Sequence, residues 1–326
     1  MTIIYPNQKK IWPGYIPPEK NELFTSWLIR ISKENLIKSH TFSNFYLERH
    51  TVWNRDIDKL FPDLITNKLL ENTLLNYNEI KKLFLESYRD IIFNDRDLNS
   101  YTPGILNLGI NHRKRKQFGL LCCPSCLNKE IPYFKKEWRL FFSIACVQCR
   151  CLLLDRCSKC EKPIAFHRLE NGYKNDILKY PLYLCWNCFH DYREDIVYIS
   201  KNSNVYKYQS YIDNTIKNEY NDLTQYSFLY FKVLHHLSNR LMCAGKTTSR
   251  IKLVVEKHLR YEYKDNQYEQ NLSTRREILL ISYSILNKFP NEFLKVFKNT
   301  NVRFSDLYKD IDCLPFWFEK EARNIR

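Results

Sequence analysis

Glycine is scarce in this chain, at 6 of 326 residues. That shortage disfavours large β-sandwiches and Gly-rich phosphate loops, whose turns depend on glycine's conformational freedom. No apolar run approaches the roughly 18 residues of a membrane helix. The opening Met1-Thr2-Ile3-Ile4-Tyr5-Pro6 has no apolar stretch ahead of Lys9 and Lys10, so no signal peptide is expected. Three catalytic signatures are missing: His-Glu-x-x-His, Gly-x-x-x-x-Gly-Lys-Ser/Thr and Gly-x-Ser-x-Gly. Asp56, Asp58, Asp95 and Asp97 offer Mg²⁺ ligands in principle, but on helices and turns such acids cap and solvate. An enzyme is therefore not expected. Neither an internal repeat nor a low-complexity stretch is visible.

Positive charge is plentiful. Lys and Arg total 51 against 36 Asp and Glu, a formal net charge of +15. Such a field suits an anionic partner, nucleic acid being the commonest; a low-GC genome that prefers Lys codons is the bland alternative. Aromatic residues make up 15% of the chain, including 23 Tyr and 20 Phe. The length allows two or three domains. Without export the cysteines stay reduced, which favours metal over disulfides and a cytoplasmic, nucleoid-associated location in a prokaryote.

Hydrophobic periodicity predicts a mainly α fold. Residues 1–105 read as an N-terminal helix-turn-helix-like bundle. Leu23, Phe24, Trp27, Leu28 and Ile31 form its first stripe, and Phe42, Phe45, Tyr46 and Leu47 a second. Leu64, Ile65, Leu69 and Leu70 make a third. Ile80 to Ile92 makes a fourth, with Asn78 as its N-cap. Residues 106–200 hold ten of the twelve cysteines and form a small zinc-ribbon or knuckle region with some β-structure. Residues 201–326 return to helices: Tyr226 to Leu241, Ile278 to Leu286, and Phe293 to Phe297. Leu314-Pro315-Phe316-Trp317-Phe318 is either core or a docking hook.

The cysteines form four Cys-x-x-Cys pairs: Cys123/Cys126, Cys146/Cys149, Cys157/Cys160 and Cys185/Cys188. Two intervening residues let both sulfurs turn toward one ion, and two such knuckles close a tetrahedral shell. Gaps of 19 and 24 residues suit a returning hairpin, whereas only 7 residues separate Cys149 from Cys157. Sequential pairing is preferred, with a cross-braced arrangement as the rival. Zinc is the expected metal; an iron–sulfur cluster would accept the same thiolates. Eight thiolates around two Zn²⁺ would lower the net charge to about +11. A closed shell leaves no position for substrate, so two structural ions are expected. The register with Cys126 selects Cys123 over Cys122. Cys151, Cys243 and Cys313 read as buried apolar residues. His167 and His190 read as hydrogen-bonded or surface histidines.

The segment Leu121-Cys122-Cys123-Pro124-Ser125-Cys126-Leu127, then Tyr133-Phe134-x₃-Trp138-Arg139, then Cys146-x-x-Cys149 with Leu152 to Cys160, resembles the TniQ family. Glu22-Leu23-x-x-Ser26-Trp27-Leu28-x-Arg30 resembles that family's opening helix. Arg276-x-Ile278-Leu279 and Phe289-Pro290-x-x-Phe293 are similar to its C-terminal helices, more weakly. Where the family usually carries His as the fourth ligand of its first site, this chain has Cys149, an equally good zinc ligand.

The resemblance implies a target-selection adaptor of Tn7-like transposons. Such an adaptor links a target-recognition device to a TnsC-like AAA+ regulator. In the CRISPR-associated branch the device is an RNA-guided effector complex, on which the adaptor docks as a dimer. Direct reading of an attachment site, as in the longer TnsD relatives, is the alternative, and a generic zinc-stabilised nucleic-acid-binding module is a second. Trp27 and Arg30 are expected to dock a partner. Arg113, Lys114, Arg115, Lys116, Lys135, Lys136 and Arg139, with the basic residues of 246–252, are expected to touch phosphate.

Overall fold

The spacing of Leu23, Phe24, Trp27, Leu28 and Ile31 buries all five, four on one helix and Leu23 at its N-cap. In the computed structural model that helix, α1, runs Phe24–Glu34. The structure describes residues 10–47, 52–94, 102–111, 114–169, 181–244, 250–259, 271–309, 311 and 313–325. Among the described residues four further helices follow in the N-terminal part: α2 (Ser39–Tyr46), α3 (Ile57–Leu60), α4 (Asp63–Asn72) and α5 (Tyr77–Lys81). Leu36, with a φ of +55°, turns the chain between α1 and α2, which pack against each other.

The fourth expected helix starts earlier and is shorter than its periodicity suggests. Asn76, rather than Asn78, is the N-cap of α5. Its side chain accepts from Glu79 N at 3.0 Å while Glu79 accepts from Asn76 N at 2.8 Å, a reciprocal capping box. The pattern then continues into a separate 3-10 turn, Leu85–Tyr88, instead of more α-helix.

The middle region has little regular structure. It contains the hairpin β1 (Ile110–Asn111) and β2 (Lys114–Arg115), the one-turn helix α6 (Pro124–Leu127), and the hairpin β3 (Ala145–Cys146) and β4 (Cys151–Leu152). Gly119 marks a close backbone approach: a Cβ there would meet the Asn107 carbonyl oxygen at 2.0 Å.

Among the described residues seven further helices follow: α7 (Asn204–Asn218), α8 (Ser227–Ala244), α9 (Arg250–Leu259), α10 (Leu272–Leu286), α11 (Asn291–Phe297), α12 (Phe304–Tyr308) and α13 (Phe316–Arg323). Asn271 caps α10 through Thr274 N at 2.8 Å, so the helix begins at Leu272, six residues before the start expected from the apolar stripe. Leu314 and Phe318 are core, while Phe316 is exposed. Among the described residues no helix is long and apolar enough to cross a membrane.

Hydrogen bonds cross both expected domain boundaries. Leu23 N donates to Phe134 O at 2.9 Å, Phe134 N to Ser26 Oγ at 2.9 Å, and Lys136 N to Asn21 O at 2.8 Å, stitching the start of α1 to the cysteine region. On the other side, Gln209 Oε1 of α7 accepts from Ile144 N at 2.8 Å and Ala145 N at 3.2 Å. Asp155 accepts from Leu272 N at 2.8 Å, at the start of α10. These partners satisfy backbone groups that mostly lie outside the short strands, at helix starts and in the connecting turns.

Candidate metal centres

Each Cys-x-x-Cys pair sits on a tight turn. Cys123 caps α6, with Pro124 at the first helical position and the Cys123 sulfur accepting from Cys126 N at 3.4 Å. The other three pairs share a different signature. The residue after the second cysteine is left-handed in each: Arg150 (φ +53°), Glu161 (+58°) and Phe189 (+58°). None is glycine, so each such turn costs about 1–2 kcal/mol. The gain that offsets this is the convergence of sulfurs. Cys185 N donates to His190 O at 2.8 Å and Phe189 N to Cys185 O at 2.9 Å, and Cys157 and Glu161 repeat the pattern with Lys162 and Cys157 carbonyls.

The sulfurs of Cys123, Cys126, Cys146 and Cys149 lie within 4.8 Å of one another, as do those of Cys157, Cys160, Cys185 and Cys188. The pairing is therefore sequential, first with second and third with fourth. Cys126 lies 3.8 Å from Cys146 and 3.4 Å from Cys149; Cys157–Cys188 and Cys160–Cys185 are each 3.6 Å apart. A disulfide requires about 2.05 Å, whereas a tetrahedral ion with metal–sulfur bonds near 2.3 Å separates its sulfurs by about 3.8 Å. The donor set fits a metal. Neither group includes a histidine or carboxylate, so four sulfurs fill the shell and leave no vacant position for chemistry.

The surroundings support this. Lys135 has an ammonium that burial disfavours, yet Glu137 at 3.4 Å and the sulfurs of Cys126 and Cys146 hold its pKa above the ordinary lysine range. It offsets negative charge on the first cluster instead of facing phosphate. Cys122 and Cys151 are buried outside both groups; Cys122 pairs its backbone with Leu154, and the Cys151 thiol donates to Leu152 O at 3.2 Å. Cys313, expected in the core, is exposed. Cys243 lies in α8, and its side chain falls outside the described residues. His167 is buried and stacks on Trp53 at 5.6 Å.

His190 Nε2 meets Asp195 at 2.9 Å and Ser158 Oγ at 3.1 Å. This resembles a hydrolytic triad only by composition. In a triad the acid and the nucleophile engage opposite ring nitrogens, whereas here both crowd Nε2.

Several residues expected at the surface turn inward. Arg139 is fully buried: its guanidinium donates to Asp56 at 3.0 and 2.5 Å and to Leu106 O at 2.9 Å. Asp58 stands 3.8 Å from it and accepts from Thr25 N at 2.9 Å and Thr25 Oγ1 at 2.7 Å, so this ion network ends on the first turn of α1. Burial raises the Asp58 pKa to about 6 although Arg139 pulls the other way. Asp56 and Asp58 are thus anchors; Asp95 and Asp97 lie outside the described residues. Lys136 donates to Ser87 Oγ at 2.6 Å and lies over the Tyr88 ring, its pKa lowered to about 8 by burial. Arg115 is buried against Phe166, which lowers its pKa to about 10, with Arg139 adding to the effect. Arg113 and the Lys114 side chain lie outside the described residues, and Lys116 is exposed.

Trp27 and Arg30 are likewise interior struts. Trp27 is fully buried and donates Nε1 to Ile16 O at 2.9 Å, and Arg30 pairs with Glu22 at 2.5 Å. Of the two arginines in these Trp-Arg signatures, Arg30 is held by Glu22 eight residues away and Arg139 by Asp56 across 83 positions. No sequence pattern singles out Asp56 as the partner of Arg139.

Residues 13–153 match the family model TniQ. That stretch of the chain, less than half of its length, is similar to the TniQ family. It takes in α1 to α5, the buried ion network, and the whole first cysteine cluster, ending inside the turn after β4. The match supports a role in target selection for Tn7-like transposition. No curated protein matches the chain.

Proposed function

We propose that the protein is a TniQ-type adaptor in transposon target-site selection, linking a target-recognition complex to a TnsC-like AAA+ regulator. The observation that carries this reading is the TniQ match at residues 13–153, a range that includes α1 and the first four-sulfur cluster. The two clusters hold one zinc ion each, through Cys123, Cys126, Cys146 and Cys149, and through Cys157, Cys160, Cys185 and Cys188. Zinc supplies folding free energy there, since a site with no open position neither activates water nor polarises a substrate. The protein itself contributes a rigid scaffold: stitches between residues 21–26 and 134–136 hold α1 against the first cluster. A non-catalytic role agrees with the family.

The test is co-migration of the purified full chain with the AAA+ regulator of its own element, in gel filtration with ATP. A stable complex is expected. Failure to associate, together with tight sequence-selective duplex binding that persists at about 150 mM salt, would favour direct attachment-site recognition instead.

A further inference from the structure

The cations that the sequence singles out are mostly interior, yet the chain keeps a net charge of +15. One place where that charge reaches the surface is a cleft of about 620 Å³ between α9 and the loop joining α11 to α12. Arg250 and Lys257 enter it from α9, and Arg303 closes it from the loop, alongside Asn299, Thr300 and Asn301. Among the described residues no carboxylate lines the cleft. Asp306 flanks it, pairing with Arg250 at 3.3 Å and accepting from Arg303 N at 2.8 Å, which fixes the rim without entering the lining.

The loop is a built surface. Thr300 Oγ1 donates to Phe297 O at 2.6 Å and accepts from Val302 N at 3.2 Å. Asn299 N reaches Ile325 O at 3.3 Å, and Val302 is buried. The flanking Asn and Arg side chains are exposed on this fixed backbone. On α9, Arg250 and Lys257 are seven residues apart, two turns on the same face and about 10 Å along the axis. One strand of B-DNA presents about three phosphates over that length.

We propose that this cleft is a binding site for the phosphate backbone of duplex DNA. The lining decides in favour of DNA over a protein partner. Protein interfaces centre on desolvated apolar and aromatic residues, and here three aliphatic residues, Leu253, Val254 and Val302, stand among six lining residues that are cations, amides or a hydroxyl. Protein–DNA interfaces are polar and strongly positive, and Arg, Lys, Asn and Thr are the side chains that take phosphate oxygens. Such contacts fix the protein's position on DNA without reading its sequence. The site is separate from the adaptor reading: a chain that binds the AAA+ regulator but not DNA breaks this proposal alone.

The experiment is fluorescence anisotropy of the full chain on a short duplex of arbitrary sequence, across about 50–200 mM salt. Lys257→Gln/Arg303→Gln is expected to lower affinity at least about tenfold and to reduce the slope of log K against log salt by about 2. Lys201→Gln/Lys217→Gln, which removes the same charge from exposed positions elsewhere, is expected to leave the slope nearly unchanged. Asn301→Glu, with a new carboxylate in the cleft, reproduces the loss should the double variant misfold by circular dichroism. Wild-type affinity and slope in a folded cleft variant overturn the proposal. So does an equal loss in the control, or absence of binding by the wild type at low salt.

Discussion

The two cysteine clusters present the same four sulfurs in different settings. In the first, Cys123, Cys126 and Cys146 are buried and only Cys149 is partly open. In the second, Cys160 and Cys188 are both partly open, and Lys159 and Lys162 beside them are exposed. The first cluster is wrapped by α1 through residues 134–136, by α7 through Gln209, and by the 3-10 turn 192–195 packed on α6. The second is held chiefly by its own turns, with Trp186 Nε1 donating to Pro163 O at 2.9 Å. The difference teaches that identical ligand sets can carry unequal shares of a fold. The first organises three regions of the chain, and the second organises mainly itself.

The comparison breaks most easily at the ligands. Cys126→Ser is expected to abolish cooperative thermal unfolding, because structural zinc sites contribute about 10 kcal/mol or more. Cys160→Ser should keep a cooperative transition and the near-ultraviolet signature of the α1 core. Equal collapse in both variants would erase the distinction.

The next largest effect tests what surrounds each cluster. Arg139→Ala leaves Asp56 and Asp58 without their buried cation and should cost about 3–5 kcal/mol in denaturant unfolding. Arg193→Ala, in the turn between the two clusters, loses the pair of a one-third-exposed arginine with Asp191, together with contact over the Tyr183 ring. About 1 kcal/mol is expected there.

These contrasts show what the sequence made legible. The α1 stripe and the Cys-x-x-Cys spacings could be read directly, because helix period and knuckle geometry are local. Sequential pairing followed from the short link between Cys149 and Cys157. What was hidden is long-range: Arg139 meets Asp56 across 83 positions, so a basic residue destined for a buried carboxylate reads like one destined for phosphate. Lys136 turns inward to Ser87 Oγ, 49 positions away, while Lys135 faces Glu137 and the sulfurs of the first cluster. Asn76 displaced Asn78 because a capping box needs Glu79 three residues on, a pattern outweighed by apolar spacing. Cys313 looked like core because cysteine usually is, but its neighbour Leu314 takes the buried place.

A smaller effect separates acid lability of the clusters from that of the core. His235 packs edge-on to Phe141 at 4.9 Å, and burial, then His236, lowers its pKa to about 4. A depressed histidine pKa gives stability that is present above the unfolded value near 6.5 and is lost as pH falls toward 4. Wild type should therefore lose about 2 kcal/mol more than His235→Leu between pH 7 and pH 5. A constant difference across that range would place the acid sensitivity wholly in the cysteines. Smallest of all, Cys313→Ser should change stability by less than about 0.5 kcal/mol, since that exposed thiol belongs to neither group.

The most direct measurement is a chelator titration of the full chain, followed in parallel by native mass spectrometry and near-ultraviolet circular dichroism. The expected course starts from two zinc ions per chain. One is lost while the aromatic signature of the α1 core persists, and the second leaves together with that signature. Simultaneous loss of both ions, collapse of the signature with the first, or a starting protein without two zinc ions would contradict the account.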